Sequence, residues 1–208
     1  MRRSSTIITP LLLCLTGCGG LLVSDQPAEQ TFWLESPTLD GIVATADLEQ
    51  SIRVRLDARP GLDTERILVR RAGGRFNHYE GAKWPDHSAE VVESLLRLTL
   101  ESTGAYQRVM GNRDSGTAAR HVHAELRRFF AVYQADSSPP VIEVEIAGYL
   151  DCDGASAPIA SEAKIPASRD TLVEVVRAFQ QATDQVLTEI ANQAITKCAR
   201  TAQDHADD

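Results

Sequence analysis

Three residues at alternate positions, His121, His123 and Glu125, are the clearest candidates for chemistry in this sequence. On a β-strand, side chains at i, i+2 and i+4 share one face, and two imidazoles with a carboxylate are ligands that zinc accepts. Their alternation with Val122 and Ala124 favours another interpretation, a polar row that faces solvent on a half-buried strand. No second ligand cluster is defined in the sequence. We therefore expect no metal and no cofactor, and a zinc hydrolase is the least favoured function.

A second set, His78, Asp86 and His87, could in principle act as acid and base. Residues 86–88 stand just before an apolar repeat with helical spacing, where Asp and Ser are common helix caps. No serine lies in a GxSxG motif, and no GxxxxGK[ST] phosphate-binding loop occurs. The sequence therefore predicts that the protein is not an enzyme, and any ATP hydrolysis belongs to a partner.

The N-terminus has the pattern of a bacterial lipoprotein signal. Arg2 and Arg3 precede an apolar stretch over residues 7–15, which is too short to span a bilayer and has the length of a signal-peptide core. It ends in Leu-Thr-Gly-Cys, which resembles a lipobox, and this predicts cleavage between Gly17 and Cys18 with lipidation of Cys18. The less favoured alternative is an ordinary secretory signal. We expect a signal peptide at residues 1–17 and a tether at residues 18–30.

Charge excludes one class of partner and leaves the lipid as the membrane attachment. Loss of Arg2 and Arg3 with the signal takes the net charge from −8 to −10, so nucleic acid is not an expected partner. An acidic body is repelled by anionic headgroups, so the acyl chains must supply the attachment. Gly19 carries no Asp-type retention signal and favours the periplasmic face of the outer membrane. A tether of about 12 residues typically reaches ~20 Å and at most ~40 Å.

The rest of the chain, residues 31–200, reads as one α+β domain followed by a disordered tail at residues 201–208. Period-two alternation predicts strands, Gly73-Gly74 predicts a hairpin turn, and Thr171 with Glu174 fits a capping box for a long C-terminal helix. We expect a mainly antiparallel sheet with two helices packed on one face. The predicted strands are residues 52–56, 67–71, 76–79, 106–110, 122–132, 142–150 and 159–165, and the first helix starts after Trp84-Pro85-Asp86 and stops at Gly104.

Cys152 and Cys198 are the two cysteines that remain once Cys14 is removed and Cys18 is lipidated. The strand that leads to Cys152 should cover ~40 Å and the final helix ~42 Å in return. Both cysteines should therefore lie at the same end of the fold, where an exported compartment permits a disulfide. The alternative is two free thiols, with Cys198 continuing the apolar stripe of the helix.

Residues 31–198 resemble the ABC-type transport auxiliary lipoprotein family, the lipoprotein partners of paraquat-inducible and mammalian-cell-entry (MCE) transport systems. The resemblance is carried by Thr31-Phe32-Trp33-Leu34, Ile52-Arg53-Val54, residues 62–67 (LDTERI), Trp84-Pro85, Leu95, Leu96 and Leu100, Ala124-Glu125-Leu126 and Val176-Arg177-Ala178-Phe179. After Trp84 this chain has Pro85, where the family usually has a small residue.

The resemblance implies a non-catalytic auxiliary or docking subunit of a system that moves lipids or other hydrophobic molecules. Its implied partners are an MCE-domain protein, an ABC permease and an ATPase, and its implied cargo is a hydrophobic molecule or lipid. The alternative function is a free-standing regulatory lipoprotein that binds a periplasmic enzyme or the cell wall. Trp33 and Trp84 are expected to be core or interface anchors.

Overall fold

The computed structural model describes residues 28–37, 39, 50–134 and 139–206. The predicted signal peptide, Cys18 and most of the tether lie outside these residues. Within them the chain forms eight strands and two helices, with a short 3-10 turn at Ala72–Gly74. The bounds are β1 Gln30–Thr31, β2 Ser51–Ala58, β3 Arg66–Arg70, β4 Phe76–Lys83, α1 Ser88–Ser102, β5 Arg108–Met110, β6 Arg120–Val132, β7 Val141–Cys152, β8 Ala155–Pro166 and α2 Leu172–Ala206.

Strand β6 is the centre of one mixed sheet. One edge of β6 pairs antiparallel with β7, and β8 continues this meander. The other edge is shared, because β2 pairs in parallel with residues 120–126 and β3 with residues 131–132. β5 extends the sheet beyond β2, while β4 and then β1 extend it beyond β3. The predicted meander and hairpin are confirmed, and the parallel pairs are an addition.

Both helices pack on one face of the sheet, as predicted, and share a single apolar core with it. Its centre is a trio of aromatic rings from three parts of the chain. The ring of Trp84, which follows β4, lies 5.4 Å from Phe129 of β6 and 5.2 Å from Phe179 of α2. All three side chains are buried. The core therefore joins the sheet to the long helix at one well-packed point.

The spacing of the apolar residues in the predicted strand 122–132 would place Val122, Ala124, Leu126, Phe130 and Val132 on one face, with only Arg128 interrupting the row. In β6 they lie on two faces, so this prediction is wrong. A β-bulge at Arg127 shifts the register against β7, so side chains beyond it exchange faces. Phe129 therefore enters the core below the helices, and Phe130 lies on the opposite face. There Phe130 forms a small apolar cluster with Leu62, Leu68 and Val132.

The outer edge of β8 is protected against pairing with another chain. Gln193 of α2 accepts a hydrogen bond from the Ala160 N–H and donates one to the Ala160 carbonyl. Every second residue of β8, counted from Ala160, points its backbone N–H and carbonyl outward. Pro158 and Pro166 occupy two of these positions, and proline has no N–H to offer to another chain. Lys197 also donates to the Pro158 carbonyl. An unpaired edge is an aggregation hazard, and proline and covering side chains reduce it.

Helix α2 begins at Leu172, so Thr171 holds the predicted cap position. The carboxylate of Glu174 instead accepts a hydrogen bond from the Ser168 hydroxyl, so the start of the helix is tied to the preceding loop. The backbone of α2 runs to Ala206, past the end predicted at residue 200. Residues 201–206 contain neither Gly nor Pro, the residues that most often stop a helix.

Candidate functional site

The row His121, His123 and Glu125 lies on the face of β6 that is turned away from the helices. The two imidazole rings stack with centroids 5.8 Å apart, and the His123 ring stacks on Tyr149 of β7 at 4.8 Å. The Glu125 carboxylate accepts a hydrogen bond of 3.1 Å from the Arg127 guanidinium. Within the described residues, no three or more His, Cys, Asp or Glu side chains are grouped to hold a metal ion. The arrangement is that of a polar, aromatic ladder.

The second candidate set does not form an acid and base pair. His78 of β4 contacts the Arg66 guanidinium, while His87 contacts the Asp86 carboxylate at 3.4 Å. The backbone N–H of His87 also donates to Asp86 at 2.7 Å, and this hydrogen bond lowers the pKa of Asp86 below its ordinary value of 3.8. Asp86 is therefore ionised at neutral pH and cannot serve as a general acid there.

The predicted helix cap over residues 86–88 is wrong in its details. His87 occupies the position before α1, and its side chain makes no cap hydrogen bond. The Ser88 hydroxyl instead donates 2.7 Å to the carbonyl of Leu62. These residues therefore attach the start of α1 to the loop before β3.

A spacing typical of serine acyl-enzymes, SxxK, is present as Ser161 and Lys164. Both residues lie on β8. Residues three apart on a strand point to opposite faces, so the lysine cannot activate this serine.

The Cα atoms of Cys152 and Cys198 lie 5.3 Å apart, and the structure joins them in a disulfide. Cys152 ends β7 and Cys198 lies on α2, and both are buried. The two cysteines thus lie at the same end of the fold. The bond would close a loop across 46 residues and fix the long helix to the sheet.

The two tryptophans have different environments. Trp84 is fully buried, with none of its surface exposed, whereas Trp33 is 72% exposed. Trp33 stands beside a cleft of about 480 Å³ between residues 33–36 and helix α1. The apolar side chains of this cleft, which we call the Trp33 cleft, are Trp33, Leu34, Pro85, Val91, Leu95 and Leu98.

The backbone beside the Trp33 cleft is fixed on both sides of the tryptophan. The N–H of Phe32 donates to the carbonyl of Lys83 at 2.8 Å. Gln180 of α2 accepts from the Glu35 N–H and donates to the Glu35 carbonyl, both at 2.8 Å. Trp33 is therefore exposed on a held backbone. Such a side chain loses little conformational freedom when a partner binds it.

The rim of the Trp33 cleft is acidic. Four carboxylates, Glu35, Asp86, Glu90 and Glu93, line it together with one guanidinium, Arg97. Glu93 accepts a hydrogen bond from the Leu56 N–H at 3.1 Å, which covers the free edge of β2 next to α1. Glu90 pairs with Arg113 at 2.6 Å. An apolar cleft with this rim favours a ligand that combines an apolar group with positive charge.

Leu98 is an exposed residue of this cleft that the sequence patterns did not indicate. It lies on α1 outside the stripe of Leu95, Leu96 and Leu100, and it is 46% exposed. A large aliphatic residue on the solvent side of an amphipathic helix is the signal that could have found it. Single exposed apolar residues are common, however. Leu98 stands out because it lines the same cleft as the exposed Trp33.

The sequence matches the model of the family described as "ABC-type transport auxiliary lipoprotein component" over residues 34–191, which is more than half of the chain. The chain belongs to this family. The expected family is thereby confirmed, and the auxiliary lipoprotein is by its family's description a component of ABC-type transport. Its described helices include none long and apolar enough to cross a bilayer.

Two solved structures share the fold of this auxiliary lipoprotein. Protein XCC0632 from Xanthomonas campestris is 22% identical with a TM-score of 0.67, and the alignment covers 85% of this chain and 97% of that one. An uncharacterized protein is 11% identical with a TM-score of 0.58, covering 84% of this chain and 99% of the other. No curated protein matches the sequence significantly.

Proposed function

We propose that this lipoprotein is a non-catalytic docking subunit of an MCE-type ABC transport system for lipids or other hydrophobic molecules. Membership of the auxiliary lipoprotein family carries this proposal. The absence of a phosphate-binding loop motif from the sequence is consistent with it, because the ATPase is then a separate subunit. The permease, the ATPase and the MCE-domain protein complete the system.

The anchor of the proposed subunit is a lipid on Cys18, after cleavage between Gly17 and Cys18. With Gly19 as the next residue, the anchored chain resides on the periplasmic face of the outer membrane. Nine residues, 19–27, lie between Cys18 and Ala28, the first described residue, and this stretch of chain spans at most ~35 Å. The domain therefore stays close to its membrane, and an elongated partner must reach it.

The Trp33 cleft is the proposed contact for that partner. Its occupant is a segment of the MCE-domain protein with an apolar side chain between Trp33 and Leu98 and with Lys or Arg on either side. The rim supports this choice, because four carboxylates and one guanidinium line the cleft and, within the described part of the chain, only Glu90 of the four is paired with a further arginine, Arg113. An acyl chain with a phosphate headgroup is a poorer fit, since the rim would repel the phosphate.

Photocrosslinking in cells tests the docking proposal. A crosslinking amino acid at position 33 or 98 should capture the MCE-domain protein. Position 173 is the matched control, because Val173 is apolar and 60% exposed but lies at the start of α2, outside the cleft. Capture of only cell-wall enzymes at positions 33 and 98 would instead favour the free-standing regulatory lipoprotein.

The anchor is tested separately by mass. The membrane-extracted chain should begin at an acylated Cys18, and Cys18→Ala should release the protein from membranes after alkaline washing. An unmodified mature chain would refute the lipid anchor. It would not change the interpretation of the crosslinking result, which tests the docking partner.

A further inference from the structure

The chain enters the domain through a short segment that directly precedes the Trp33 cleft. This segment, residues 28–32, contains β1, a strand of only two residues, Gln30 and Thr31. Residues 28–31 are all exposed, whereas Leu34, just beyond the segment, is buried. We call residues 28–32 the entry segment.

One residue of β4, Lys83, makes three contacts with the entry segment. Its ammonium lies 3.4 Å from the Glu29 carboxylate, and Thr31 is its partner in the parallel pairing of β1 with β4. Its carbonyl accepts the 2.8 Å hydrogen bond from the Phe32 N–H. The same ammonium lies 3.1 Å from Glu65, which fixes it against the loop before β3. The position of the entry segment therefore depends on Lys83.

The contacts of the entry segment become stronger towards the core. The ion pair of Glu29 with Lys83 is weak, because it is solvent-exposed, and β1 adds only two residues of pairing at the sheet edge. Phe32 is half-buried and packs against the core, and beyond it the backbone of Glu35 is clamped by Gln180. Local opening begins where buried apolar contacts are few. It therefore begins at the exposed end of the entry segment and proceeds towards the Trp33 cleft.

Along the chain, the entry segment lies between the proposed lipid anchor and the Trp33 cleft. Tension on the tether therefore reaches β1 before it reaches the rest of the domain. While the entry segment is paired, residues 19–27 span at most ~35 Å. Release through Phe32 frees five more residues, and the chain from Cys18 to Trp33 then spans at most ~50 Å. The same release removes the fixed backbone on one side of Trp33.

We propose that the entry segment is a latch that couples the Trp33 cleft to the extension of the tether. The latch is closed while the domain stays near its membrane, and Trp33 is then held in position for its partner. A tether stretched to its full length opens the latch, and the affinity for the partner falls because Trp33 loses its fixed backbone. By linkage, a bound partner keeps the latch closed. This inference rests on the anchor and the docking proposed above.

Hydrogen exchange followed by NMR tests the latch without membrane or partner. The buried core lies within residues 34–198, so the mature chain with Cys18→Ser keeps its fold. The Phe32 amide should exchange faster than the paired amides of the central strand β6. Lys83→Glu replaces the attraction to Glu29 by repulsion and should accelerate exchange at Phe32 about fivefold, the size expected for an exposed ion pair. The amides of β6 should exchange as in the wild type.

Lys164→Glu is the matched control. Lys164 is half-exposed and lies 3.9 Å from Glu162 on β8, away from the entry segment. The control makes the same charge change and should leave exchange at Phe32 unchanged, and the conservative Lys83→Arg should behave like the wild type. Equal acceleration by both Lys→Glu variants, no acceleration by Lys83→Glu, or a Phe32 amide as slow as those of β6 would overturn the proposal.

Crosslinking in cells tests the coupling of the latch to the docking site. With the crosslinking amino acid at position 98, Lys83→Glu should lower capture of the MCE-domain protein at least ~twofold, and Lys164→Glu should not. Charge alone predicts the opposite, since an added carboxylate favours a basic partner segment. Unchanged or increased capture in Lys83→Glu would refute the coupling. Absence of capture by the wild type would refute the docking proposal instead, while the exchange experiment still decides whether the latch opens.

Discussion

Trp33 and Trp84 lie in two regions of the molecule that differ in how far they bury the tryptophan side chain. Trp84 is enclosed by Phe129, Phe179 and the rest of the core, so its side chain holds the sheet to α2. Trp33 directly follows Phe32, whose N–H donates to Lys83, and Gln180 holds Glu35 two residues further on, yet the Trp33 ring is exposed. A fixed backbone with an exposed aromatic side chain is arranged for binding rather than for stability.

The largest expected effect separates the two tryptophans. Trp84→Ala should lower the free energy of unfolding by about 3–5 kcal/mol, because it opens a large cavity in the core. Trp33→Ala should change it by less than about 0.5 kcal/mol, as an exposed substitution does, and should abolish crosslinking at position 98. Urea unfolding followed by circular dichroism measures both. Similar losses of stability in the two variants would show that the Trp33 region is structural.

The disulfide is the next test of the core region. If Cys152 and Cys198 are bonded in the mature protein, the double variant Cys152→Ala and Cys198→Ala should lose up to about 4 kcal/mol of stability, on the model in which the bond restricts the unfolded chain. Alkylation of unreduced protein, followed by peptide mass mapping, should leave both cysteines unmodified. The reduced wild-type chain is the control and should resemble the variant. Alkylation of both thiols without reductant would refute the bond.

Gly148 allows β7 to approach β6 closely on the sheet side of the core. A Cβ at this position would lie 2.0 Å from the His123 carbonyl oxygen and 2.7 Å from the Cα of Ala124, both backbone atoms of β6. Gly148→Ala should therefore cost about 1–3 kcal/mol, since the strands must separate. Ala147→Gly makes the reverse change one residue away and should cost only about 0.5–1 kcal/mol. The opposite order of these two losses in urea unfolding would contradict the close approach.

Local sequence patterns predicted the elements of this fold but not all of their partners. Alternation over residues 52–56 and 142–150 is a property of each strand alone, and so is the glycine pair of the hairpin turn. Asp153-Gly154, with φ of 51° and 92°, is a further turn signal of this kind, and it joins β7 to β8. The parallel pairing of β2 with β6 depends instead on the whole intervening chain, which no local pattern encodes.

The bulge at Arg127 and the exposure of Trp33 could not be predicted from the sequence for a related reason. The bulge makes Phe129 rather than Phe130 a core residue, and only the register against β7 reveals it. Trp33 lies between Phe32 and Leu34, and Trp84 between Lys83 and Pro85, so the sequence neighbours do not predict that Trp33 is the exposed one. What separates them is whether α2 lies over the ring, which is a tertiary fact. The sequence therefore indicated Trp33 as a core or interface anchor, but it did not predict that its side chain is exposed beside the cleft.

The smallest expected effect concerns a surface loop and depends on pH. The carboxylate of Asp114 accepts a 2.7 Å hydrogen bond from the Gly111 N–H and lies 3.7 Å from the Arg97 guanidinium. This hydrogen bond, and to a smaller extent the nearby arginines, lower the pKa of Asp114 below the ordinary value of 3.8. A lowered carboxyl pKa stabilises the folded state above the unfolded-state value, and this stabilisation is lost as the pH falls through the folded-state value. Asp114→Asn should therefore unfold at a lower temperature than the wild type near neutral pH, and the two melting curves should converge below pH 3.8. Asp57→Asn removes a carboxylate that is 66% exposed and is the control for the charge change. A difference between Asp114→Asn and the wild type that stays constant through acid pH would show that the side chain acts by its shape rather than by its charge.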